Sequence, residues 1–222
     1  MPTDFPPYGF VGPDLQPRGL DIDMANLIGE KLGARVTLVP VTTTNRIPYL
    51  QTGRVDLVIS TLGRNPERAA VIDFTAAYSP FFIGVFGPAS ISVRGPEDLA
   101  GRTIAVTRGS MDDTSLTEVA PTTATIRRFE DNSATVTAFV SRQTDLLATG
   151  VSVAATVMQR NPALGAEYKF LLRESPNFIG LPKGETALRD RVNEIIAEAK
   201  ANGTIDRLAQ RWLGRPAGEL PL

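Results

Sequence analysis

The chain has 222 residues, 42% of them hydrophobic and 21% charged, with a formal net charge of −1. That balance describes an ordinary globular protein and excludes a large basic field, and with it nucleic acid or an anionic membrane as a partner. Histidine and cysteine are both absent, which removes Ser-His-Asp and Cys-His catalysis, Cys/His zinc sites and any disulfide framework.

Absence of cysteine fits the cytoplasm and the periplasm equally. No apolar run approaches the ~20 residues that span a bilayer. The opening Met1-Pro2-Thr3-Asp4-Phe5-Pro6-Pro7 has neither the basic segment nor the apolar stretch of a signal peptide. The residues therefore fit a cytoplasmic protein or a trimmed mature form.

Strand-like and helix-like segments alternate along the chain, which predicts an α/β fold with largely parallel sheets. Asp21 to Leu32 places Ile22, Ala25, Ile28 and Leu32 near one helical face, and Gly33 stops it. Val36 to Val41 reads as a strand, and Asn45 to Gln51 as a short helix. Val55 to Ser60 is a continuous apolar run of the kind buried in a parallel sheet. Asn65-Pro66-Glu67-Arg68 is a helix start, with Asn65 at the cap and Pro66 at the first position, where its missing N–H costs nothing. Phe81 to Phe86 then reads as a strand ending at Gly87-Pro88, a predicted boundary.

A second round follows. Pro96 to Leu99 is a short turn, Thr103 to Thr107 a strand, and Arg108-Gly109-Ser110 a tight connection into a helix. Thr125 to Phe129 and Asp145 to Ala148 are strands flanking a helix over Ser133 to Arg142. Val151 to Gln159 is helical, and Tyr168 to Leu172 and Asn177 to Leu181 are extended. Leu188 to Ala201 and Ile205 to Trp212 are amphipathic helices separated by Asn202-Gly203. No close internal repeat is visible.

Several of these segments, in order, resemble the amino-acid-binding family of periplasmic solute-binding proteins that serve ABC importers. They are Asp4-Phe5-Pro6-Pro7-Tyr8, Gly19-Leu20-Asp21-Ile22-Asp23, Leu50 to Asp56, Asn65-Pro66-Glu67-Arg68 through Ile72-Asp73-Phe74, Leu99 to Val106, and Asn202 to Gly214. Each is weak alone; the ordered set covers nearly the whole chain. The resemblance implies a periplasmic-binding-protein type II fold: two lobes, each a mostly parallel sheet flanked by helices, joined by two hinge strands. It places lobe one at 1–86 and 178–222 and lobe two at 87–177, with a ligand trapped between them by hinge closure. It further implies a periplasmic monomer without cofactor, whose partners are an amino acid or related carboxylate and an ABC permease. A signal peptide and most of a first strand are expected ahead of the position of Met1.

Arg68 has the strongest site reading. A guanidinium grips a carboxylate with two parallel hydrogen bonds, and beside a helix start it joins the free N–H groups there. The family uses the matching arginine for the ligand's α-carboxylate. Ser60, Thr61 and Gly63 match the loop that meets the ligand's amino and carboxyl groups; at Gly63 the family's usual hydroxyl is gone. Gly109, Ser110 and Met111 match the second lobe's carboxylate-binding turn, with an ordinary N-cap at Ser110 as the competing reading. Phe5 matches an aromatic that stacks on the ligand, and Thr43 stands where the second aromatic wall is usual. Thr42, Thr44 and Arg46 are candidate contacts, and Thr44 a candidate helix cap.

Gly150 stands where many relatives place the aspartate that receives the ligand's ammonium. Asp112, Asp113, Glu130 or Asp131 would have to substitute, or neutral acceptors serve, or the ligand lacks an ammonium. Two other functions fit the same scaffold: the ligand-binding domain of a membrane sensor, and a dehydratase of the cyclohexadienyl type. The second needs a tuned acid or base in the cleft, for which Glu130 and Asp131 are the least implausible groups.

Overall fold

Residues 1–221 are described by a computed structural model, in which the chain divides after Pro80 and again after Ser175. Unit one holds Met1–Pro80 and the chain from Pro176 on; unit two holds Phe81–Ser175.

Unit one opens with an antiparallel meander of β1 (Asp4–Phe5), β2 (Gly9–Val11) and β3 (Pro17–Arg18). Gly19 follows at φ 130, and a Cβ there would lie 2.3 Å from the Tyr8 carbonyl oxygen, so only glycine lets the chain pass. Helix α1 (Leu20–Leu32) buries Leu20, Ile22, Met24 and Ile28 and ends, as its sequence predicts, at a left-handed Gly33. Then come α2 (Arg46–Gln51), β4 (Val58–Leu62), α3 (Pro66–Val71) and β5 (Ile72–Ser79). Leu50, Val58, Leu62 and Ile72 form one apolar cluster beneath these elements.

The strand expected at Val36 to Val41 does not form. Met1 bonds to this segment twice, its amine donating to the Val39 carbonyl (2.9 Å) and its own carbonyl accepting from the Val41 N–H (3.0 Å). A ladder needs a partner along a whole edge, and Val36 and Thr37 stay exposed instead. Strand β5, by contrast, was not anticipated. Most of it is buried without alternation, and its Ala76-Ala77 pair hides any period-2 signal.

Unit two runs through β6 (Phe82–Pro88), β7 (Thr103–Thr107), α4 (Met111–Val119), β8 (Thr125–Phe129), α5 (Asn132–Val140), β9 (Leu146–Gly150), α6 (Val151–Arg160) and β10 (Ala166–Glu174). Its sheet order is β10-β6-β9-β7-β8. Strands β9, β7 and β8 are parallel, while β6 runs antiparallel to β9 and β10. Val85, Ile104, Val106, Leu146 and Ala148 pack into a cluster on one face; Phe86, Ala105 and Leu147 pack into another on the opposite face. Three strands covered on both sides explain why their sequences read as unbroken apolar runs.

The boundary expected at Gly87-Pro88 falls inside β6, where Gly87 pairs with Glu167 and Pro88 with Ala166. Residues 81–86 thus belong with unit two, because their ladder partners lie there.

The returning chain forms β11 (Asn177–Pro182), α7 (Thr186–Ala201) and α8 (Thr204–Leu213) in unit one. Here the expectation of mostly parallel sheets is corrected: the sheet order is β4-β11-β5, with β11 antiparallel to both neighbours. Chain that leaves at Ser79 and returns at Asn177 puts these two residues side by side, so the returning strand must run against the departing one. The Asn177 amide donates to the Ser79 hydroxyl (2.8 Å) at that junction. Trp212 closes α8 onto α1 by donating its indole N–H to Asp23 (2.7 Å).

Candidate functional site

Strand β4 delivers Ser60, Thr61 and Leu62 into a short loop before α3. The Asn65 side chain accepts the Arg68 N–H (2.8 Å) and Pro66 opens the helix, as its residues predict. This start turns the Arg68 side chain back on the loop, where Nη1 donates to the Gly63 carbonyl (2.8 Å) with the residue only 8% exposed. Ser60, Thr61, Gly63 and Arg68 are therefore brought together. Gly63 contributes its carbonyl as an anchor for the guanidinium.

The loop is held from below by Asp21, which the sequence reading did not single out for the site, and by Arg46. Asp21 is fully buried; one carboxylate oxygen accepts the Thr61 N–H (2.9 Å) and the other the Tyr78 hydroxyl (2.6 Å). Arg46, read from sequence as a ligand contact, is 5% exposed and donates to the Ser60 carbonyl and, at 3.4 Å, to that of Thr61. Thr61 itself sits at φ 45, a left-handed conformation that costs a β-branched residue about 1–2 kcal/mol. Burial pushes the Asp21 carboxyl up from 3.8 to about 7, against the opposing pull of the Tyr78 and Thr61 hydrogen bonds and of the Met1 amine and Arg46 charges. Burial, then the Asp21 charge, pushes the Tyr78 hydroxyl well above its ordinary value. One sequence signal was available: Asp21 shares a helical face with Ala25 and Ile28, and an acid on an apolar face needs partners.

Phe5 lies half-buried in β1, its ring 6.0 Å from that of Tyr8 and tilted by 30°. Thr43 is half-buried in the turn before α2, which is closed by the Thr42 N–H on the Asn45 side chain (2.8 Å) and the Asn45 N–H on the Thr42 hydroxyl (3.3 Å). Asn45, not Thr44, occupies the cap position of α2.

In unit two, β7 and β9 are parallel neighbours, so their carboxyl ends reach the same sheet edge, the usual place for ligand loops in such sheets. That brings the Gly109-Ser110-Met111 turn and Gly150 to one edge. Gly109 is left-handed (φ 69), and Ser110 caps α4 by accepting the Asp113 N–H (3.0 Å). The Gly109 N–H donates to the Asp113 carboxylate (3.0 Å). That bond ties the turn to a buried carboxylate of its own helix. Met111 is buried at the start of α4.

Carboxylates considered as stand-ins at Gly150 have structural duties. Asp113 also binds Arg128 (2.8 Å), Glu130 pairs with Arg108 (2.8 Å) on the surface, and Asp131 caps α5 through the Ala134 N–H (2.7 Å). Asp112 is buried on α4. Gly150 is buried, and a Cβ there would meet the Phe81 ring.

With this geometry in place, comparison with known proteins identifies the chain. The sequence profile of the bacterial extracellular solute-binding proteins, family 3, matches residues 1–215. The chain is 26% identical over 222 residues to the ABC transporter glutamine-binding protein GlnH of Bacillus subtilis (strain 168), covering 98% of this chain and 81% of that protein. An ancestral arginine-binding protein bound to arginine superposes with a TM-score of 0.88 at 29% identity, covering 96% of this chain and 95% of its own. The ancestral amino acid-binding protein AncCDT-1, a precursor of cyclohexadienyl dehydratase, does so with a TM-score of 0.86 at 30% identity, covering 95% and 92%. The two-unit α/β architecture and the family match over residues 1–215 agree: this chain belongs to the bacterial extracellular solute-binding proteins, family 3.

Proposed function

We propose that this protein captures an amino acid by its α-carboxylate and delivers it, as a monomer outside the cytoplasmic membrane, to the permease of an ABC importer. One observation carries the reading. Arg68 is buried, yet its guanidinium is oriented by the Gly63 carbonyl at the tip of a loop that itself is braced by Asp21 and Arg46. A planar fork of N–H donors fixed in this way suits a carboxylate. Relatives that bind glutamine and arginine support the amino-acid class. Ser60, Thr61, Phe5 and Thr43 are proposed as further contacts of unit one, and the Ser110-Met111 turn as the contribution of unit two.

The residue at 150 offers a ligand's ammonium no carboxylate. Enzymatic turnover gains nothing from the geometry, because Glu130 is exposed in an ion pair and Asp131 is spent on a helix cap.

A thermal-shift screen against the proteinogenic amino acids and small dicarboxylates tests the proposal. A ligand that binds only the folded state raises the melting temperature with its concentration. At least one amino acid should do so, and Arg68→Ala should remove the shift. An equal shift in the variant would refute the assignment of Arg68.

A further inference from the structure

We infer that Asp21 and Arg46 are positioning residues that lock the Ser60–Thr61 peptide plane and thereby set the shape of the solute loop. The inference rests on reading the Ser60–Arg68 segment as that loop.

The Ser60 carbonyl and the Thr61 N–H belong to a single planar peptide unit. Arg46 Nη1 donates to the carbonyl end, and Asp21 accepts the N–H end at 2.9 Å. The two grips arrive from separate helices, α2 and α1, and both side chains are at most 5% exposed. Turning the plane over would break both bonds at once. It would also carry Thr61 away from φ 45, since rotation of a peptide unit changes the φ of the residue that follows it. A β-branched residue does not hold this conformation unaided; it persists where surrounding groups over-determine it. Tyr78 in turn fixes the carboxylate, donating to its second oxygen at 2.6 Å. Neither Asp21 nor Arg46 has to touch the solute to decide whether the loop is shaped to receive it.

The test uses hydrogen exchange of the Thr61 amide in the unliganded chain, together with titration of L-glutamine and L-arginine. Arg46→Gln should speed Thr61 exchange by about tenfold or more while the remaining β4 amides keep their protection. Affinity for whichever probe binds should fall by about tenfold as well. In a Thr61→Gly background the same Arg46→Gln change should cost less than about threefold, because glycine accepts positive φ without help. A merely structural arginine would cost the same in both backgrounds, and that result overturns the inference. So does Thr61 exchange that stays within about twofold of wild type. Should Arg46→Gln fail to fold, the near-isosteric Asp21→Asn carries the same exchange measurement. If neither probe binds the wild type, these two amino acids are excluded as the solute, and the exchange data by themselves decide whether the clamp exists.

Discussion

The Phe81 ring fills the space that any side chain at residue 150 would need: a Cβ built on Gly150 would lie 2.6 Å from Cζ and 2.7 Å from Cε2 of that ring. Phe81 is buried, and Gly150 pairs with Ile83 just beyond it. Residue 150 is thus closed to any side chain by packing. Phe81 and Gly150 are a coupled pair, the bare backbone at one making room for the ring of the other.

Gly150→Ala should therefore destabilise the protein by about 1–3 kcal/mol, the usual cost of overpacking. Combining it with Phe81→Ala should cost less than the sum of the two single changes, since the ring that clashes is gone. Urea unfolding of the four proteins measures this; strictly additive costs would refute the pairing.

Arg68 separates binding from stability. Arg68→Lys keeps the charge but loses the fork, so affinity should drop by roughly 2–4 kcal/mol, as when a buried, hydrogen-bonded charge partner is removed. The Asn65 cap bonds the Arg68 main chain and survives the change, so the unliganded melting temperature should move little. Calorimetric titration and a melting curve on the same sample give both quantities.

Asp21 makes stability depend on pH. Its folded pKa of about 7 stands above the ordinary 3.8, chiefly through burial. The folded state then binds the extra proton between these values, so Asp21's contribution is fully present below pH ~4 and is lost as pH rises to ~7. The buried Met1 amine, lowered from 8.0 to about 6, acts in the opposite sense between those two values. Stability should fall from pH ~4 to ~6, then level as the two groups oppose each other. Asp21→Asn should abolish the fall and leave the Met1 amine's rise above pH ~6 unopposed. Denaturant titrations across this range check the sign; a wild type that gains stability from pH ~4 to ~6 relative to Asp21→Asn would contradict it.

The Ser110 turn predicts a graded pair of losses. Ser110→Ala removes one N-cap bond and should cost about 1 kcal/mol. Asp113→Ala should cost more, because it strips the Gly109 N–H, Arg128 and Thr117 of one shared acceptor. Equal losses in thermal unfolding would show that the carboxylate does not organise the turn.

Local signals in the sequence proved sound. Asn65 and Ser110 cap the helices they precede, and Gly33 ends α1 in the left-handed conformation. The apolar runs at Phe82–Phe86 and Leu146–Ala148 are strands with both faces covered. The same reasoning failed at Val36 to Val41, where a good strand sequence found too little edge to pair with. It failed again at β5, whose burial on both faces erased the alternation that announces a strand. Arg46 was noticed, but as a ligand contact and not as a brace beneath the loop.

The sequence by itself determined most element types, the caps at Asn65 and Ser110, the stop at Gly33 and the family, because caps, turns and periodicity act between residues a few positions apart. The tertiary structure alone decided that β11 runs against its neighbours, that Asp21 and Arg46 meet at one peptide, and that Phe81 stands against Gly150. Those outcomes depend on which distant segments the chain path brings together; the Thr61 amide and its carboxylate partner are 40 residues apart. No local pattern encodes a hydrogen bond or a shared volume over that distance.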